Sequence, residues 1–70
     1  MTLEIEFEEC EHSGDLDRYL TDLKNSGAEV LDSSMHQEDE SAFIYIRMEN
    51  REEFMDRFRK TGSYEFANVY

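Results

Sequence analysis

From Thr2 to Glu8 apolar and acidic residues alternate strictly, with Leu3, Ile5 and Phe7 on one side and Glu4, Glu6 and Glu8 on the other. A period of two is that of a strand with one face buried, so the chain opens with a strand. Leu16, Tyr19, Leu20 and Leu23 then recur at i, i+3, i+4 and i+7, which predicts a helix of about three turns that begins near Ser13 or Gly14 and ends at Gly27. Ala28 to Met35 reads as a second strand, the polar run His36 to Ser41 as a hairpin connection, and Ala42 to Glu49 as a strongly apolar third strand. Asn50 followed by Glu53 has the spacing of a capping box. It precedes Phe54, Met55 and Phe58, the apolar side of a second helix that Gly62 stops. Tyr64 to Tyr70 is expected to close the chain as a fourth strand.

The order β-α-β-β-α-β requires two right-handed crossovers, which put the first and third strands side by side in the centre of a four-stranded antiparallel sheet. Both helices then cover one face and the other stays open. This is an α+β, ferredoxin-like βαββαβ sandwich, and residues 1–70 form one domain, since 70 residues suffice for a single small core and not for two.

On the open face the Glu4, Glu6 and Glu8 carboxylates follow one another at about 7 Å. Each neighbouring pair repels by roughly 0.6 kcal/mol at the dielectric of water. The alternation of the third strand turns Ile44, Ile46 and Met48 inward and Phe43, Tyr45 and Arg47 outward beside these glutamates, where Arg47 is expected to relieve part of the repulsion. Phe43, Tyr45 and Arg47 are therefore candidate partner-binding residues, for another protein or for a second copy of the chain. Ala42-Phe43-Ile44-Tyr45-Ile46 also resembles part of the third strand of an RNA-recognition motif. Ser41 and Ala42, however, stand where that motif carries a basic residue and a glycine.

Charge decides against the nucleic acid. Eighteen Asp and Glu face seven Lys and Arg, a net charge of −11 that opposes phosphate backbones and anionic membranes alike. The same charge serves solubility, or adaptation to a salty cytoplasm, and attracts cations or basic partners. No apolar run has the length of a membrane span, and the N-terminus is acidic where a secretory signal is basic, so a cytoplasmic location is expected. A single cysteine supplies neither a disulfide framework nor a zinc ribbon. No nucleophile–base pair stands out, so the expectation is a noncatalytic domain without a cofactor.

Cys10 and His12 leave the first strand at the same end of the sheet as His36, Glu38, Asp39 and Glu40 leave the second. A divalent-cation site built from these six residues is therefore an alternative: soft Cys and His ligands would take a transition metal, and the acidic turn alone calcium or magnesium. The spacing matches no zinc or EF-hand motif.

His12-Ser13-Gly14-Asp15-Leu16, then Leu20, Leu23 and Gly27-Ala28-Glu29-Val30-Leu31, resembles the start of an ACT domain, a small-molecule-sensing module of amino-acid metabolism. Gly14 and Leu16 stand at its helix start, Gly27 at the helix end, and Ala28 and Val30 in the following strand. The resemblance implies a regulatory, homodimeric module with a small ligand, such as an amino acid, at Glu11, His12, Ser13, Gly14, Asp15 and Leu16. It also implies side-by-side pairing of two sheets.

Overall fold

The alternation of the first strand is the frame on which the molecule is built. In the computed structural model, which describes all of Met1–Tyr70, strand β1 spans Thr2–Phe7 and buries Ile5 and Phe7 completely. Helix α1 (Ser13–Asn25) follows, then β2 (Glu29–His36), β3 (Ser41–Arg47), α2 (Arg51–Phe58) and β4 (Ala67–Val69). The strands lie in the order β2-β3-β1-β4 with every neighbouring pair antiparallel. Four antiparallel strands and two helices make an α+β domain, consistent with a small ferredoxin-like fold.

One face of the sheet carries the core. Ile5 and Phe7 of β1 join Ala42, Ile44 and Ile46 of β3, and the helices add Tyr19 and Leu23 from α1 and Phe54 and Phe58 from α2. Rings pack in succession: Tyr19 stacks on Phe7 at 4.3 Å, Phe58 meets Phe7 edge-on at 6.1 Å, and Phe54 stacks on Phe58 at 5.5 Å. Aromatic rings fill a small core efficiently, because each removes a large apolar area from water with few rotors to freeze.

Helix α1 closes as its sequence predicts. The Ser26 N–H donates to the Asp22 and Leu23 carbonyls, the Ala28 N–H donates to Leu23, and Gly27 at φ 97° supplies the left-handed residue of the turn. At α2 the Asn50 side chain accepts from the Glu53 N–H at 3.1 Å, which forms one half of the predicted capping box, while the Glu53 carboxylate turns to Arg57 at 2.7 Å instead of back to the Asn50 N–H.

The expectation for the fourth strand needs correction. The fourth strand does not begin at Tyr64: Tyr64–Phe66 form a 3-10 turn and only Ala67–Val69 pair with β1. The buried Ser63 hydroxyl donates to Asp22 of α1 and so anchors the chain beneath the sheet until Phe66, whose carbonyl takes the Glu8 N–H at 2.8 Å. The connection from His36 to Ser41 contains a 3-10 turn, Gln37–Asp39, followed by Glu40 in the left-handed region at φ 53°. Strand β2 is an edge strand, as the topology requires, exposed along most of its length, and a bulge between Val30 and Asp32 leaves Leu31 46% exposed.

Candidate functional site

Helix α1 starts with free backbone donors, as every helix does. Here the chain supplies part of its own cap. The Asp15 carboxylate accepts from the Glu11 N–H at 3.2 Å and the His12 N–H at 3.3 Å, and Arg18 lies 3.6 Å from its other oxygen. Asp17 is exposed and takes no part. Glu11, His12, Ser13 and Gly14 are exposed, with Asp15 and Leu16 half-buried. A β-carbon at Gly14 would meet nothing within 4 Å, so nothing within the chain crowds that residue.

The six residues of the candidate metal set are not drawn into one coordination sphere, and no group of three or more His, Cys, Asp or Glu side chains is arranged to hold an ion. Cys10 lies wholly inside the core, where burial first, and then Asp15, pushes its thiol pKa up and disfavours the thiolate a metal needs. His36 turns toward the open face, edge-on to Phe43 at 5.5 Å and 3.4 Å from the Ser34 hydroxyl. What the topology does join is backbone: the Cys10 N–H donates to the Glu40 carbonyl at 2.8 Å, which ties the loop after β1 to the β2–β3 turn.

The open face is more ordered than its charge suggests. Both glutamates of β1, and Glu8 just past its end, are answered by a neutral donor: the Tyr45 hydroxyl donates to Glu4 at 2.8 Å, the Tyr70 hydroxyl to Glu6 at 2.8 Å, and the Asn68 amide to Glu8 at 3.2 Å. Donation to a carboxylate, together with its charge, pushes both phenol pKa values above the ordinary one. The rings remain open to solvent, Tyr45 at 47% and Tyr70 at 68%. Arg47 does not relieve the β1 glutamates. It stands opposite Thr2 on β1 and Glu29 on β2, and its guanidinium donates to Glu29 with an Nε distance of 3.1 Å.

At the end of this face where β1 finishes and β3 begins, a cleft of about 400 Å³ opens between the two joined loops. Glu6, Glu8, Glu9, Asp39 and Glu40 line it. Sequence reading singles out the open-face aromatics Phe43 and Tyr45 but misses Asn68, Tyr70 and Glu9. The alternation Asn68, Val69, Tyr70 beside the β1 glutamates is the available signal for the first two. Glu9 owes its position to a backbone turn at φ 54° that side-chain patterning does not encode. Comparison with known proteins finds no matching family model, no similar curated protein and no similar solved structure.

Proposed function

We propose that this chain is a noncatalytic protein-interaction module, built on the split βαβ frame, that binds a cationic segment of a partner protein on its open sheet face. The observation that carries this reading is the set of solvent-facing rings held beside carboxylates, Tyr45 on Glu4 and Tyr70 on Glu6. A guanidinium or ammonium over such a ring gains from the ring quadrupole and from the adjacent charge together. Glu4, Glu6, Glu8, Glu29 and Asp32 against Arg47 leave this face at −4, so the complementary partner is basic. A small ligand at Glu11 to Leu16, the function implied by the ACT resemblance, has less support, because the Asp15 carboxylate folds back onto the Glu11 and His12 N–H groups and leaves a negative charge at the helix start.

The test is fluorescence anisotropy of a labelled peptide of alternating arginine and serine, an extended probe that presents its cations on one side. Binding is expected to weaken about tenfold in Tyr45→Ala, a loss of about 1.4 kcal/mol, and to be absent for the matching glutamate–serine peptide. Equal affinity of wild type and Tyr45→Ala would overturn the open-face reading. A thermal shift with a free amino acid that is lost on replacing Gly14 by a bulky residue would restore the small-ligand reading.

A further inference from the structure

The cleft at the end of the open face differs from the rest of the acidic surface in three respects. No lysine or arginine of the chain lines it, and none of the four ion pairs of the molecule, Arg18–Asp15, Arg47–Glu29, Arg57–Glu53 and Arg59–Asp56, involves its carboxylates. Its shape is set by main chain: Glu9 and Glu40 adopt φ of 54° and 53°, conformations that cost a non-glycine residue free energy. The Cys10 N–H to Glu40 carbonyl bond joins their loops, and the Tyr19 hydroxyl donates to the Glu8 and Glu9 carbonyls at 3.1 and 3.2 Å from the core side. Its wall also holds a spare polar group. Ser41 is only 6% exposed, lies on the open-face side of β3 by the alternation that turns Ala42 inward, and its hydroxyl makes none of the chain's side-chain hydrogen bonds. Phe43, half-buried beside it, adds an apolar surface.

Resting on the open-face reading above, we infer that this cleft is a specificity pocket for one arginine side chain of the bound partner, with Glu8, Glu9 and Glu40 receiving the guanidinium, Ser41 giving it a further acceptor and Phe43 covering its stem. The carboxylates line the walls without converging in threes on a point, whereas calcium and magnesium take a close shell of oxygens. A guanidinium is suited to such spread acceptors, since its five N–H donors diverge in a plane, whereas an ammonium is a compact point charge. Long cationic side chains also lay their methylenes along apolar surface while the charged end reaches polar groups.

The experiment compares the arginine–serine peptide with its lysine–serine counterpart at one ionic strength. It uses the wild-type chain, Glu40→Gln, Ser41→Ala, Tyr45→Ala and, as a distant carboxylate control, Glu52→Gln, each first shown to be folded by circular dichroism. Wild type is expected to prefer arginine about tenfold. Glu40→Gln and Ser41→Ala are expected to reduce that preference to about twofold or less, whereas Tyr45→Ala and Glu52→Gln preserve the ratio. An unchanged ratio in both cleft variants, with binding still lost in Tyr45→Ala, would overturn the pocket and leave the open-face reading standing. Equal wild-type affinities for the two peptides would do the same. Displacement of the arginine peptide by calcium chloride at constant ionic strength, abolished in Glu40→Gln, would overturn it in favour of a metal site. Failure of wild type to bind either peptide would overturn both readings.

Discussion

At the scale of single residues the informative positions are those where a side chain departs from the place its pattern assigns. Arg47 lies on the expected face yet pairs with Glu29, because strand register decides which neighbour stands opposite and register is a property of two strands at once. Glu40 holds a left-handed backbone that glycine would occupy without strain, while its carboxylate lines the acidic cleft. Glu40→Gly is therefore expected to stabilise the fold by about 0.5–1 kcal/mol and to weaken binding of the arginine peptide. A urea titration alongside the anisotropy measurement checks both. Destabilisation on that change would show that the Glu40 side chain contributes to folding more than its backbone strain costs.

At the scale of elements the two helices are fastened to the sheet by different means. Helix α2 relies on Phe54 and Phe58 with the Asn50 cap. Helix α1 adds a polar link, the Tyr19 hydroxyl donating to the carbonyls of Glu8 and Glu9, which fixes the loop that leaves β1. The ring itself stays packed on Phe7 when the hydroxyl is removed. Tyr19→Phe is thus expected to cost about 1–2 kcal/mol, the penalty of carbonyls left without a donor. Amide hydrogen exchange should show lost protection at the Cys10 N–H ahead of the centre of β1. Uniform loss of protection across the sheet would instead mean that the link holds the whole fold and not the loop.

At the scale of the whole molecule charge dominates. A net −11 is carried on a body with a radius of gyration of 11.0 Å, and the four ion pairs leave that excess unpaired. Four of the seven cations fall between Arg51 and Lys60, so the open sheet face is left strongly negative while α2 is nearly neutral. Raising salt from about 0.01 M to about 1 M shortens the screening length from about 30 Å to about 3 Å. The melting temperature is accordingly expected to rise by several degrees across that range, as self-repulsion is screened. Binding of the arginine peptide should weaken over the same range, because the attraction is screened as well. Calorimetry and anisotropy in sodium chloride check the pair, and a melting temperature that falls with salt would contradict the account. No helix is long and apolar enough to cross a membrane.

Much of the frame is legible in the residues themselves. The alternation that points Ile5 and Phe7 inward and the helical spacing of Tyr19 and Leu23 dictate which side chains are buried, because burial is governed by periodicity and periodicity is local. The Asn50 cap and the Gly27 turn are local as well: the turn forms as predicted, and of the capping box the Asn50 half forms. The open face with Phe43 and Tyr45 outward follows from the same reasoning. The partners of these groups do not: the hydrogen bonds of Glu4 and Glu6 to Tyr45 and Tyr70, the replacement of Tyr64–Phe66 strand by a turn, and the joining of Glu9 and Glu40 around one cleft all depend on segments distant along the chain. Pairwise approach of remote segments is decided by register, twist and loop geometry, which only the assembled tertiary structure sets. The sequence by itself determined the faces of this domain; the tertiary structure decided what meets across them.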